Sequence, residues 1–331
     1  MQRTDYFIRR VFWACVTILV VLTLNFFLFR VLPGDPAKSI RDPRLTREAQ
    51  EAIRVRFGLD KPLLINTAGN PFDSQFFLYY GSLLQGDLGI SFNYSRPVAD
   101  LLRERLSNTV LLVLVGEILA IVIGILFGLI SAWRRGTGLD VGVVLIGLFT
   151  WALPTFFLGI VLLIVGSSYL GLPVGGIRTP GANYASFWDE VVDVGRHMMM
   201  PTLTLTIILL GQFMLIMRSS LLEVLGEDYI LTARAKGLSD TQVLRDHAIQ
   251  NAMLPVITLI ALTLGFTVAG SILIESVFSW PGLGSAIAEA VNRRDYPMLQ
   301  GAFLLFAVSV VIANMIADLM YAMLDPRVKP T

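Results

Sequence analysis

Few residues in this 331-residue sequence have the type and spacing that covalent chemistry requires. The G-x-x-x-x-G-K-[ST] pattern that cradles nucleotide phosphates is absent, and so are the H-E-x-x-H and G-x-S-x-G patterns of hydrolases. The only histidines, His197 and His247, are predicted to lie at opposite membrane boundaries, so they cannot share one site. We therefore expect no catalytic residue and no nucleotide site in this chain.

The run of His197 and three methionines that ends at Met200 raises the question of a soft-metal site, because imidazole and thioether groups bind soft cations. Consecutive residues on a helix point in different directions, however, so one site could not use all four side chains. Methionine also fills gaps in packed regions. We predict packing here and no metal site, and we expect the single Cys15 to be a packing residue.

Polar side chains inside apolar segments are the other candidates, since such residues are costly in a membrane and often face a partner or a water-filled path. Glu117, Gln212 and Asn314 are predicted to line a hydrophilic path, and Glu117 and Gln212 are the better candidates. Glu275 and Asp318 lie near predicted span ends, where exposure to water costs little. For each of these residues the alternative is a hydrogen bond between helices.

A polar stretch, residues 226–255, lies between two long apolar runs and has the pattern of two helices joined by a turn. Gly237 stands where a left-handed residue would end the first helix. Ser239, with Gln242 three residues later, predicts a capping box for the second. The second helix shows helical spacing at Val243, Leu244, His247, Ala248 and Asn251. We expect a stiff helical hairpin that is presented to a partner.

Composition places these elements in a membrane. The chain is 55% hydrophobic and 15% charged, whereas soluble domains are roughly 25% charged. Runs of about 20 apolar residues cross a bilayer, and they predict an all-α integral membrane protein with six transmembrane helices. The predicted spans are residues 11–29, 109–132, 139–168, 198–217, 254–277 and 299–324. Pro154 is expected to kink the third span, and Gly124 with Gly128 forms a G-x-x-x-G packing pattern in the second.

Six spans place both termini on one side, and the positive-inside rule predicts that this side is cytoplasmic. The short segments on the terminal side carry Arg3, Arg9, Arg10, Arg134, Arg135, Arg218, Arg234, Lys236, Arg245, Arg327 and Lys329. Those on the other side carry only Arg178, Arg196, Arg293 and Arg294. The hairpin is then cytoplasmic. The net charge of +1 gives no reason to expect a nucleic-acid partner.

These observations predict four regions. Residues 1–31 are a cytoplasmic tip and the first transmembrane helix, and residues 32–105 are an external insertion. Residues 106–325 are a five-helix core that contains a cytoplasmic loop at 219–252, and residues 326–331 are a cytoplasmic tail.

Blocks of sequence along the whole chain match one family pattern. The longest are SSLLEVLGEDYILTARAKGL at 219–238 and NAMLPVIT at 251–258. Shorter ones are LPGDPA at 32–37, FGLDKP at 57–62, GDLGIS at 86–91, ESVFSWPGLG at 275–284, RRDYP at 293–297 and DPR at 325–327. Through these blocks the sequence resembles the inner-membrane permease subunits of ABC importers for dipeptides and oligopeptides, and most closely the first permease of the dipeptide systems.

The resemblance implies the type I importer permease fold and an EAA-type cytoplasmic loop, whose short helix seats in a groove of an ATPase subunit. On this sequence the implied coupling residues are Tyr229, Thr232, Ala233, Arg234, Ala235, Lys236, Gly237 and His247. The general pattern has an acidic residue six positions before the glycine, where this chain has Leu231. A contact that depends on that acid is therefore not expected here.

The resemblance also implies partners: a second homologous permease, two ATP-binding subunits that hold ATP and magnesium, and an external peptide-binding protein. The chain itself is expected to carry no cofactor and to form half of a peptide path in the plasma membrane. Import of nickel or glutathione by the same kind of complex is the alternative. A secondary transporter would need internal repeats and ionisable residues near the bilayer midplane, where only Glu117 qualifies.

Overall fold

The computed structural model describes residues 3–31, 55, 58, 60–67 and 69–324, and the regular structure within these residues is helical apart from one isolated bridge between Ile90 and Pro97. The helices are α1 (Arg3–Val31), α2 (Gln75–Leu84), α3 (Val98–Trp133), α4 (Gly138–Ala152), α5 (Thr155–Leu170), α6 (Phe187–Leu225), α7 (Asp228–Ala235), α8 (Asp240–Val243), α9 (Ile249–Gly270), α10 (Ile272–Val277), α11 (Leu283–Arg293) and α12 (Tyr296–Leu324). A π turn, Leu244–Ala248, joins α8 to α9. The LPGDPA and DPR blocks, the tail 326–331 and the side chain of Asp318 lie outside the described residues.

The chain divides into two compact units. Among the described residues, the first is formed mainly by Thr109–Trp280, together with residues 312–324. The second is formed by the described residues between Thr4 and Asn108 and by Pro281–Val311. The four regions predicted from the sequence stay a prediction.

Several helices extend beyond the apolar windows predicted from the sequence. Four segments are long and apolar enough to cross a membrane alone: Ile8–Arg30, Val98–Trp133, Phe187–Leu225 and Asp240–Leu264. The pair α4 and α5 meets the same criteria when taken together, as a broken span or a re-entrant loop. Within the described residues, Tyr296–Ile312 is a shorter apolar helix. The all-α membrane architecture is confirmed, whereas the count of six spans stays a prediction.

A sharp break separates α4 from α5 at the predicted proline. The two helices are bent by 101° relative to each other, and Leu153 and Pro154 between them both have extended backbone conformations. Proline causes this because its ring disfavours a helical conformation at the preceding residue and because it has no N–H to donate. The third predicted span is therefore two helices rather than one kinked helix.

Glycines let α3 and α4 pack directly against α6 in the first unit. A Cβ atom on Gly128 would lie 2.7 Å from the carbonyl oxygen of Met214, and Gly124, the other glycine of the pattern, is equally close to α6. Gly211 of α6 approaches the backbone of Gly147 on α4 in the same way. The packing role predicted for the G-x-x-x-G pattern is confirmed, because larger side chains would separate these backbones.

In the second unit, α2 packs aromatic side chains against α1. The ring centroid of Phe26 lies 5.4 Å from that of Phe76 and 5.5 Å from that of Tyr79. The hydroxyl oxygens of Tyr80 and Thr23 are 2.7 Å apart. These contacts hold α2 along the apolar helix.

Candidate coupling site

Helix α7 is the first arm of the hairpin and is seated on the first unit by one face. Ile230 is fully buried and Ala233 is 6% exposed. Residues three apart lie on the same side of a helix, so both side chains enter the apolar cluster that also contains Met217 and Leu221 of α6. Burying an isoleucine contributes about 1.5–3 kcal/mol. This seat fixes α7 on the end of α6.

The turn after α7 is built on Gly237, as predicted. Gly237 has φ +80°, and its N–H donates to the carbonyl oxygen of Arg234 at 2.9 Å. The N–H of Leu238 donates to the carbonyl oxygen of Ala233 at 3.4 Å. A left-handed residue that closes the last turn of a helix in this way favours glycine, because any Cβ is strained at positive φ.

Helix α8 begins at the predicted cap. The N–H of Ser239 donates to Oε1 of Gln242 at 2.9 Å, which is the backbone half of a capping box. The π turn that follows was not predicted. It places Val243 and Ala248, five residues apart, in the same buried cluster, which an uninterrupted α-helix would not do because it turns by 3.6 residues.

A polar contact reinforces the apolar seat. Ser220 of α6 donates its hydroxyl to the carbonyl oxygen of Ala252 on α9 at 2.8 Å, and both residues are buried. Ala252 and Val256 belong to the cluster that holds Ile230. The hairpin is therefore held to two membrane helices at its base.

The opposite face of the hairpin is exposed and polar. Tyr229, Thr232, Arg234, Ala235 and Lys236 are all exposed. Arg234 lies 3.7 Å from Asp240, but both side chains are largely in solvent, where such a pair contributes little to stability. The buried side of the hairpin holds the backbone of this face in place, and the charged side chains of the face are exposed. These properties suit docking onto a groove.

Three predicted coupling residues, Tyr229, His247 and Ala233, make contacts within the hairpin or with the core. The hydroxyl of Tyr229 accepts a hydrogen bond from Nδ2 of Asn251 at 3.0 Å, which ties the two arms together. His247 is half-buried, and its carbonyl oxygen also accepts from Asn251. Ala233 points into the cluster, so its side chain holds the hairpin in place rather than facing outward.

The structure places the predicted path residues differently from one another. Glu117 is fully buried and accepts a hydrogen bond from the hydroxyl of Thr263 at 2.5 Å. Gln212 is half-buried on α6, and Asn314 is exposed on α12. Thr263 belongs to α9, so this bond joins Glu117 on α3 to another helix.

Glu275 was expected near a span end, where exposure is cheap, and that expectation is wrong. Helix α9 ends at Gly270, and Glu275 lies fully buried on the next helix, α10. Its Oε1 accepts hydrogen bonds from Thr109 at 2.6 Å and from Ser271 at 2.9 Å. Buried carboxylates are retained when donors satisfy them. The serine four residues earlier was the available sequence signal.

The histidine–methionine run packs only in part as predicted, because His197 and Met200 are buried whereas Met199 is 46% exposed. Nδ1 of His197 lies 2.8 Å from the carbonyl oxygen of Asp193, one turn earlier. Met200 is buried and contacts Gly166 of α5. Among the described residues, no group of three His, Cys, Asp or Glu side chains is arranged to hold a metal.

Two family models match this chain. Residues 124–330 match the model described as binding-protein-dependent transport system inner membrane component. The chain belongs to this family. Residues 3–113 match the model of the N-terminal region of the same membrane components. The fold of the family is the type I ABC importer permease fold, and its members are membrane permease subunits rather than enzymes. The family resemblance seen in the sequence is therefore confirmed, as is the multi-pass membrane character.

Curated relatives match this permease over nearly its full length. The oligopeptide transport system permease protein AppB of Bacillus subtilis is 36% identical over 326 residues, which are 98% of this chain and 99% of the relative. A putative peptide permease protein of Brucella suis is 38% identical over 330 residues with the same coverage. The glutathione transport system permease protein GsiC of Escherichia coli is 36% identical over 325 residues, again with the same coverage.

Proposed function

We propose that this permease forms half of the membrane path of an ATP-driven importer of di- and oligopeptides, and that its hairpin receives the motion of an ATPase subunit. The observation that carries the proposal is the two-faced hairpin. Ile230 anchors α7 in the chain's own core, whereas Arg234 and Lys236 stay at the surface. Family membership and the peptide permeases among the relatives support the same function.

The proposed complex contains a second homologous permease, two ATP-binding subunits and an external peptide-binding protein. The family description, which names a binding-protein-dependent transport system, supports this assignment. ATP and magnesium would be held by the ATP-binding subunits, because this sequence has no phosphate-binding pattern. Purifying the tagged chain under mild conditions should recover the ATP-binding subunits, and recovery of the folded permease without them would contradict the proposal.

The excess of Lys and Arg in the short segments on the terminal side supports cytoplasmic termini in the inner membrane. The hairpin then faces the cytoplasm, where ATP-binding subunits operate. Accessibility of a cysteine introduced at Lys236 to a membrane-impermeant thiol reagent, compared in intact cells and inverted vesicles, tests this orientation. Labelling in intact cells would contradict it.

Within the hairpin we assign two kinds of role. Tyr229, Thr232, Arg234, Ala235 and Lys236 form the face that docks, since they are exposed. The remaining predicted coupling residues fix the shape of that face: Ala233 by its burial, Gly237 by the turn and His247 from the base of the second arm.

Glu117, Gln212 and Asn314 remain the proposed polar contributions to the path. Glu117 is the best supported, because a fully buried carboxylate within a membrane helix is costly and is retained for a reason. Replacing Glu117 with Gln should alter uptake while leaving assembly intact. Unchanged uptake of every peptide tested would remove Glu117 from the path.

Gly237 offers the sharpest test of coupling. A Cβ atom there would meet nothing within 4 Å, so substitution strains the backbone without creating a clash. A left-handed conformation costs an ordinary residue roughly 1–2 kcal/mol, and the cost is greatest for a β-branched side chain. Gly237→Val should lower peptide uptake per ATP hydrolysed, whereas Gly237→Asn, which tolerates this conformation, should retain most of it. Equal coupling in both variants would contradict the role of the turn.

The substrate class is tested by uptake in vesicles that contain the complete importer. Dipeptides and longer peptides are the expected substrates. Glutathione and nickel salts belong in the same panel, because one relative is a glutathione permease and glutathione is itself a tripeptide. Uptake of glutathione or nickel alone would replace the peptide assignment with that substrate.

A further inference from the structure

A second polar feature lies at the hairpin end of α6. Asp140, in the first turn of α4, is nearly buried and accepts four hydrogen bonds. Arg218 donates two of them, from Nε to Oδ1 at 2.6 Å and from Nη2 to Oδ2 at 2.9 Å. Ser131 donates its hydroxyl to Oδ1 at 2.5 Å, and the N–H of Gly136 donates to Oδ2 at 2.9 Å.

The donors come from different elements. Ser131 lies in the last turn of α3, Gly136 lies in the turn between α3 and α4, and Arg218 belongs to α6. One carboxylate therefore gathers the ends of three helices. Its hydrogen bonds add polar links between these ends to the apolar packing of the helices.

Arg218 is also close along α6 to the seat of the hairpin. Ser220, two residues later, bonds to Ala252, and Leu221 belongs to the cluster that holds Ile230. A movement of α7 must therefore displace this segment of α6. Through Arg218 the same movement reaches Asp140.

A bidentate pair of this kind resists both stretching and rotation, because two parallel hydrogen bonds fix distance and orientation together. The side chain of Asp140 is 6% exposed and that of Arg218 is 24% exposed. Separating them would leave a nearly buried charge without its partner, which is strongly unfavourable. The pair therefore behaves as a stiff joint rather than as a mobile surface contact.

We propose that Arg218 and Asp140 are positioning residues that pass the displacement of the hairpin to α3 and α4. The inference rests on the proposed coupling function of the hairpin and extends it to a named joint within the membrane unit. Neither residue touches peptide or nucleotide in this role. Their effect is on how much helix movement each ATPase cycle produces.

The test measures peptide molecules transported per ATP hydrolysed by the complete importer in proteoliposomes, together with its melting temperature. Asp140→Asn removes the charge of the carboxylate while retaining its shape, and Arg218→Met removes the guanidinium while retaining an unbranched apolar stem. Arg218→Lys keeps the charge but loses the bidentate geometry. Arg178→Gln is the matched control, because Arg178 forms an ion pair with Glu190 at 2.5 Å near the opposite end of α6.

The two pair-removing variants should hydrolyse ATP but transport about tenfold fewer peptides per ATP, which lies within the usual range of coupling between sites. Arg218→Lys should give an intermediate ratio, and Arg178→Gln should match the wild type. A parallel fall of hydrolysis and transport at an unchanged ratio would show a purely structural role and overturn the inference. A wild-type ratio in the pair-removing variants would also overturn it.

If Asp140→Asn and Arg218→Met fail to assemble, Arg218→Lys and Ser131→Ala decide the question, since each leaves most of the hydrogen bonds in place. A wild-type ratio of peptides transported per ATP in both variants would then contradict the proposed role of the pair. The wild-type importer is assayed first. If the wild-type importer shows no ATP-driven peptide uptake, the proposed function is contradicted, and so is the role of the Arg218–Asp140 pair. If the wild type takes up peptide normally and the variants are unaffected, only the role of the pair is contradicted.

Discussion

Helices α7 and α11 are two short amphipathic helices that use their polar faces in opposite ways. Helix α7 has 8 residues and α11 has 11, and each buries an apolar side in its own unit. On α11 the polar side is bonded internally. Glu289 accepts from Nδ2 of Asn93 at 3.2 Å and from the hydroxyl of Tyr94, and Arg293 donates to Oδ1 of Asn93 at 2.7 Å.

Asp295, two residues after the end of α11, completes this network. It is 1% exposed and accepts from the hydroxyl of Ser91 at 2.5 Å and from the N–H groups of Phe92 and Asn93 at 3.1 and 3.0 Å. Burial, followed by the bond to Glu289, raises the pKa of Tyr94 above its ordinary value. The polar face of α11 therefore stabilises the second unit.

The polar face of α7 makes few internal bonds among the described residues, and its cations lie at the surface. The two helices therefore use the charged residues of their polar faces differently. A network closed within one unit stabilises that unit, whereas a rigid helix with an exposed polar face has surface left for a partner.

The largest effect is expected at Asp295, because the closed network depends on its carboxylate. Asp295→Ala leaves four donors without their acceptor, because the N–H of Met298 also donates to Oδ1 of Asp295 at 3.3 Å. Each buried unsatisfied donor costs about 1–3 kcal/mol. We expect a fall in the melting temperature of the purified permease large enough to reduce its yield. Asp295→Asn retains one acceptor oxygen and should lower the melting temperature by less. An unchanged melting temperature for Asp295→Ala would remove the contrast between the two helices.

The next largest effect is expected at Ile230, and Leu231 is its matched control. Ile230 is fully buried and Leu231 is 58% exposed. Ile230→Ala should lower the free energy of unfolding by about 2–5 kcal/mol because it leaves a cavity. Leu231→Ala should leave stability nearly unchanged but weaken binding of the ATP-binding subunit, measured with the purified proteins. The reverse pattern would show that the two faces have been assigned wrongly.

The smallest effect is expected where α11 ends. Arg294 has φ 54°, a left-handed conformation like that of Gly237 at the end of the hairpin helix. Arg294→Gly removes strain of about 1–2 kcal/mol but adds roughly 0.5–1 kcal/mol of unfolded-chain entropy. We expect a change in unfolding free energy of at most about 1 kcal/mol. A larger loss would show that the side chain of Arg294 itself contributes to the second unit.

The sequence predicted those features that depend on neighbouring residues. The turn at Gly237, the cap at Ser239 and the break at Pro154 each follow from backbone preferences within a few positions. The helical periodicity of the hairpin also depends on residues a few positions apart. It did not reveal the π turn, because a helical turn with one extra residue has no characteristic amino-acid composition.

The features that were missed depend on pairs far apart in the chain. Asp140 and Arg218 are 78 positions apart, and Glu275 and Thr109 are 166 positions apart. A single sequence shows each residue but not its partner. The burial of Glu275 and the joint at Asp140 therefore required the three-dimensional arrangement, as did the inward orientation of Ala233.

The length of α6 has a mechanical consequence. Its 39 residues, at about 1.5 Å of rise per residue, make a rod of roughly 58 Å, about twice the thickness of the hydrocarbon layer. A tilt of about 5° about one end would carry the other end through about 5 Å. A small rotation applied where the hairpin is seated would therefore become a displacement as large as a side chain at the far surface.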